Sequence, residues 1–65
     1  MNENEPQPPL KRWLTISDVE REYDFNSNAQ ARMRRLKLIP FSKVGKQIRY
    51  DRVELNKWLE ENREA

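Results

Sequence analysis

The apolar positions between Trp13 and Leu59 fall in short groups whose spacing changes along the chain. Ile16, Val19 and Tyr23 recur at helical spacing behind Thr15-Ile16-Ser17-Asp18, which has the form of a capping box with Asp in place of the usual Glu. A first helix of roughly two turns is predicted here, ending near Asp24, a residue that tolerates the left-handed conformation at a helix end. Asn26 is a good N-cap for a second helix. Within it Ala29, Met33 and Leu36 fall at i, i+4 and i+7 and predict an inward stripe. At about 100° per residue the opposite face carries Ser27, Ala31, Arg34 and Arg35, with Asn28 and Gln30 at its margins. Arg32 flanks the stripe, its stem expected to fold over the core. Pro40 cannot extend this helix and biases Ile39 towards an extended backbone.

From Phe41 to Tyr50 the pattern becomes that of a β-hairpin around Gly45, the single glycine. If Val44, Ile48 and Tyr50 share the buried face, Val44 pairs with Ile48 and Gly45-Lys46-Gln47 forms a three-residue loop. Lys43 and Arg49 then face each other on the outer side, with Lys46 at the tip, an arrangement that needs water or an anion to screen it. Asp51 and Glu54 form a second capping-box pattern before a third helix, whose inward stripe is Leu55, Trp58 and Leu59. Glu60, Glu61 and Glu64 crowd its end, where the helix dipole disfavours them, so fraying is expected past Asn62. The expected organisation is a Pro-containing acidic tail over residues 1–12, a folded domain over 13–62 and a frayed end over 63–65.

The fold class predicted is mainly α with a small β-hairpin, in the order helix, turn, helix, hairpin, helix. A two-helix unit followed by a basic hairpin is the layout of a winged helix-turn-helix.

Composition narrows the chemistry. The 65 residues include no Cys and no His, which removes disulfides, thiolate metal sites, a Cys nucleophile and the usual neutral-pH general base. A lone glycine excludes a P-loop or a GxGxxG turn. No catalytic residues, metal ligands or cofactors are expected, and the chain does not read as an enzyme. No apolar run reaches the roughly 20 residues of a membrane span. The N-terminus is acidic and polar, unlike a signal peptide, so a cytoplasmic location is expected, with no membrane partner and no small-molecule substrate.

The net charge of +2 conceals a sharp partition. Residues 32–52 carry Arg32, Arg34, Arg35, Lys37, Lys43, Lys46, Arg49 and Arg52 against Asp51 alone, a net +7, whereas residues 1–31 and 53–65 are both acidic. One basic face between acidic ends suits a polyanion. The bland reading is a charge run that merely solvates a helix, and a further alternative is an adaptor that binds an acidic protein. Trp58, on an apolar stripe, is expected in the core rather than stacked on a base. Lys11 and Arg12 could form an arm along DNA, an idea that their acidic neighbours disfavour.

Three segments carry a resemblance. Leu14-Thr15-Ile16-Ser17-Asp18-Val19 is similar to the opening of the excisionase and MerR-like helix-turn-helix family. Ile39-Pro40-Phe41-Ser42-Lys43-Val44-Gly45-Lys46 resembles the family's approach to the wing, and the stretch from Ile48-Arg49-Tyr50 to Trp58-Leu59 resembles its close. Together they cover about residues 13–60. The resemblance implies a bacterial, phage or mobile-element protein that binds duplex DNA as a recombination directionality factor or a small transcription regulator. Its second helix would enter the major groove and its wing would lie against the backbone or minor groove. Carried over, Ser27, Asn28, Gln30, Ala31, Arg34 and Arg35 face the groove, and Lys43, Lys46 and Arg49 hold phosphates. A single module buries little surface, so adjacent copies or a partner such as an integrase or polymerase are expected to assist. The chain departs from the family pattern in having Asp24 and Lys37 where glycines are usual, Asn26 where Ser or Thr caps, and Gln30 where an aliphatic is common.

Overall fold

The computed structural model describes residues 10–64. The elements are β1 (Trp13–Leu14), α1 (Ile16–Tyr23), α2 (Ser27–Arg35), β2 (Ser42–Val44), β3 (Gln47–Asp51) and α3 (Arg52–Glu61). Three helices thus pack with an antiparallel three-stranded sheet of order β1-β3-β2, as in a winged helix-like domain.

Local capping sets the helix starts. Thr15 Oγ1 accepts from the Asp18 amide and Asp18 Oδ2 accepts from the Thr15 amide, both at 3.0 Å, completing the capping box. Asp24 ends α1 at φ 52°, and two residues on, Asn26 Oδ1 accepts from the Asn28 and Ala29 amides at 2.7 and 3.3 Å. The chain therefore reverses within three residues, which brings α2 against α1. α2 closes with a Schellman motif: the Leu38 amide donates to Met33 O at 2.9 Å and the Lys37 amide to Arg34 O at 3.0 Å. Lys37 holds the left-handed position of that motif, φ 58°, where glycine is the usual residue. Asp51 caps α3 by accepting from the Val53 amide.

Leu14, Val19, Ile39, Tyr50 and Leu55 form the buried core, one from each of five different segments. Ile16, Tyr23, Phe25, Met33, Ile48 and Trp58 pack around it, and the Phe25 and Trp58 rings lie 6.5 Å apart. Trp58 is half-buried and packs against the core, on the side its stripe predicts. Trp13 is largely exposed and carries the Arg12 guanidinium 4.8 Å from its ring centre.

Four expectations change. The first concerns the hairpin, where Val44 pairs with Gln47, Lys43 with Ile48 and Ser42 with Arg49. The loop is Gly45-Lys46, two residues rather than three. Gly45 has φ 61° and Lys46 does not share the positive φ, the pattern of a type II′ turn, which wants glycine first. A three-residue loop would have put the left-handed residue at Gln47, where no glycine is available. The wing extends beyond the helices, so Val44 has no core to enter and is 73% exposed. Lys43 consequently shares a face with Ile48 and Tyr50, while Arg49 lies on the other face with Ser42, and the expected Lys43–Arg49 pairing does not occur.

The second change is β1, which periodicity did not reveal. Leu14 pairs with Tyr50 and Trp13 with Asp51. Arg12 O accepts from the Arg52 amide at 2.8 Å, satisfying a first-turn donor of α3, and Lys11 O accepts from Arg52 Nε at 2.7 Å. Lys11 and Arg12, assigned to the tail from sequence, are thus fastened to the domain. Residues 1–9 of that tail, and Ala65, lie outside the described residues.

The third change is the seating of α2. Gln30 is fully buried and Leu36 is 59% exposed, so the inward line runs through Gln30 and Met33. Relative to the expected stripe the helix is rolled by roughly 60°, at 100° per residue. Leu36 follows the last helical residue, and the reversal at Lys37 delivers Ile39 to the core instead. Finally, Leu59 is 42% exposed because Leu55 and Trp58 fill the contact side of α3.

Asp18 joins the N-terminal segment to α1. Its carboxylate meets Lys11 Nζ at 2.6 Å and Arg21 Nη2 at 2.8 Å in addition to the Thr15 amide. The Lys11 ammonium and the Thr15 amide hold its carboxyl well below the ordinary value of 3.8. Because the folded pKa is lowered, Asp18 adds stability at neutral pH that fades as the pH falls below the ordinary carboxylate range. Thermal melting between pH 7 and pH 2 should show this loss in the wild type and a flatter profile in Asp18→Asn. Parallel profiles would remove Asp18 as the source.

Candidate nucleic-acid interface

The roll of α2 decides which side chains it presents. Asn28, Arg32 and Arg35 are exposed, and Ser27, Ala31 and Arg34 are partly covered. At 100° per residue Asn28, Ala31, Arg32 and Arg35 span the outward arc, and Ser27 and Arg34 fall on the flank beside Gln30. Arg32 therefore joins the open face rather than folding over the core. The Ser27 amide, in the first turn of α2, donates to Glu20 of α1 at 3.1 Å.

Gln30 leaves the candidate set. Its Nε2 donates to Phe25 O at 2.8 Å and to Ile16 O at 3.2 Å, which ties α2 to the inter-helix turn and to the start of α1. Its Oε1 is buried without a partner among the described residues. The side chain cannot reach a base without abandoning both carbonyls. Gln30→Ala should lower unfolding stability by about 2 kcal/mol through lost hydrogen bonds and a cavity. Urea unfolding tests this, and a change under about 0.5 kcal/mol, the scale of an ordinary surface substitution, would contradict the assignment.

Arg34 reaches the sheet. Its Nη1 donates to the Tyr50 hydroxyl at 2.5 Å, joining the middle of α2 to the wing strand. Burial pushes the Tyr50 phenol upwards in pKa, with the guanidinium opposing that shift. On the wing, Lys46 is at the tip as expected, Lys43 and Lys46 are exposed, and Arg49 is half-buried with Nη1 on the Ile48 carbonyl at 2.7 Å.

The distribution of ion pairs is informative. Among the described residues the carboxylates engage Lys11, Arg12, Arg21, Arg52 and Arg63. Of the eight cations between residues 32 and 52, only Arg52 has such a partner among the described residues, Glu22 at 3.3 Å. Arg32, Arg34, Arg35, Lys37, Lys43, Lys46 and Arg49 have no carboxylate within 4.0 Å among the described residues, so their charge is uncompensated locally. Lys11 and Arg12 differ, since their heads are already turned to Asp18 and Asp51. α2 contains no acidic residue, so none of its arginines can form an i,i+4 pair within the helix. Sequence reasoning missed Arg32 and the Arg34–Tyr50 link. The first depended on the roll of α2, and the second on a pairing between elements that no local pattern encodes.

No cluster of acidic side chains suited to a metal ion occurs among the described residues, and no helix among them is long and apolar enough to cross a membrane. Comparison with curated proteins gave no match, and comparison with solved structures gave none. Residues 13–63 match the family model described as a helix-turn-helix domain, a span running from β1 to just beyond α3. The chain therefore belongs to the helix-turn-helix domain family, with α1 and α2 as its two-helix unit, and DNA is the partner that this membership implies.

Proposed function

We propose that the protein is a sequence-specific binder of double-stranded DNA that inserts α2 into the major groove and sets the β2–β3 wing against the phosphate backbone. The observation that carries this reading is the run of seven cations on α2, its C-terminal turn and the wing with no carboxylate partner among the described residues. Ser27, Asn28, Ala31, Arg34 and Arg35 are the groove-facing set, extended by Arg32. Lys43, Lys46 and Arg49 hold phosphates, which demands only charge within reach. The protein contributes docking and no bond chemistry. The segments similar to excisionases favour a recombination directionality factor or a small transcription regulator, and both roles use the same docking.

Fluorescence anisotropy with a mixed-sequence duplex tests the reading. Contact with about four to six phosphates gives log–log salt slopes of roughly −4 to −5. Amide shifts on titration should concentrate at residues 27–35 and 43–49. A well-dispersed spectrum whose amides do not move at low salt would sink the proposal and turn attention to an acidic protein partner. An adaptor of that kind would tolerate Lys at positions 34 and 35 and would be inhibited by any polyanion.

A further inference from the structure

The two arginines adjacent in α2 are held differently. Arg35 is exposed on the outward arc, with no hydrogen bond from its guanidinium among the described residues. Arg34 is half-buried on the flank nearest the sheet, and its Nη1 is committed to the hydroxyl of Tyr50. Tyr50 cannot drift, because its side chain is fully buried and its backbone is paired with Leu14 in the centre of the sheet.

A guanidinium has five N–H donors in a rigid fork. With Nη1 on Tyr50, the side edge made by Nε and Nη2 is left without an acceptor among the described residues. That edge offers two parallel donors, the geometry that guanine O6 and N7 accept. A tethered fork also loses less rotamer freedom on binding than a free one.

We propose that Tyr50 is a positioning residue for DNA reading: it fixes the Arg34 fork so that its side edge reads one guanine, while Arg35 contributes charge to the phosphate backbone without reading a base. The inference rests on the DNA-binding reading above and divides the labour within it. It also gives the core tyrosine a role that burial alone does not require. Phenylalanine would fill the same space without a hydroxyl to satisfy.

The test begins with selection from a pool of randomised duplexes by the wild-type protein, followed by affinities for the best duplex and for each single base-pair replacement in it. The wild type should discriminate at one G·C pair by about 10- to 100-fold. Tyr50→Phe should lose about 10-fold of that discrimination at that pair only, with the salt slope unchanged. Arg34→Lys should lose the preference at the same pair, and adding Tyr50→Phe to it should produce no further loss. Arg35→Gln should weaken binding evenly across all duplexes and reduce the salt slope by about 0.9. Thermal melting shows whether each variant is folded; Arg34→Lys leaves the core untouched and decides the matter if Tyr50→Phe does not fold. Full discrimination in Tyr50→Phe, or in Arg34→Lys, overturns the inference while leaving DNA binding standing. A wild type that enriches no site and binds no duplex removes both.

Discussion

Replacing Lys43, Lys46 and Arg49 together by glutamine is expected to lower duplex affinity by about 100-fold near physiological salt and to reduce the salt slope by about 2.7, at roughly 0.9 for each phosphate no longer neutralised. The change should leave the fold intact. All three side chains lack a carboxylate partner among the described residues, and the backbone pairs of the wing do not use them. Lys43 and Arg49 lie on opposite faces of the hairpin, so no cross-strand pair depends on their charges and the stability should change little. Anisotropy titrations at several salt concentrations separate the two effects. Unchanged slope and affinity in a protein with normal melting would take the wing out of the interface, leaving α2 to bind alone.

The second large effect concerns stability. Leu14→Ala should cost about 2–5 kcal/mol, the usual range for a fully buried leucine. A 65-residue domain has roughly 3–10 kcal/mol in total, so this one substitution should leave a large unfolded fraction near 37 °C. The position is sensitive because two kinds of contact meet there. Leu14 packs against the core of the helix-turn-helix unit, and its backbone pairs with Tyr50 at the centre of the sheet. Its loss loosens the strand whose neighbour, Arg12, supplies a carbonyl to the first turn of α3. Circular dichroism melts and urea unfolding measure the effect. A fall in melting temperature of only a couple of degrees would mean that β1 is peripheral to folding.

The molecule divides its charges unevenly. Carboxylates on α1 and at the end of β3 are engaged internally: Asp18 with Lys11 and Arg21, Glu22 with Arg52, Asp51 with Arg12. The Arg12–Asp51 and Glu22–Arg52 pairs are partly exposed, and each adds little to stability. Their consequence for function is that they occupy cations outside the α2 and wing surface and leave that surface positive. A +7 segment repels itself, so the domain accepts some loss of stability for a field that attracts a polyanion.

Much of this was legible in the chain itself. Thr15 and Asp18, Asp24, Asn26 and Asp51 determine where the helices start and where α1 stops, because a cap acts over three or four residues and its chemistry is local. The uneven charge is likewise a property of the sequence alone, as is the order of two helices, a hairpin and a third helix. The tertiary structure decided the rest. A two-residue strand such as β1 has no period to detect, and only its pairing with β3 makes it a strand. The register of the wing turned on where the single glycine's positive φ was needed, and on the absence of any core beneath Val44. The roll of α2 followed from Gln30, a polar residue whose two backbone acceptors, Ile16 O and Phe25 O, come together only once α1 and the turn are in place. Burial there took Gln30 out of the interface, opened Arg32 to solvent and turned Arg34 towards Tyr50. Periodicity shows which residues share a face of a helix; which face is buried depends on the partners that long-range packing supplies.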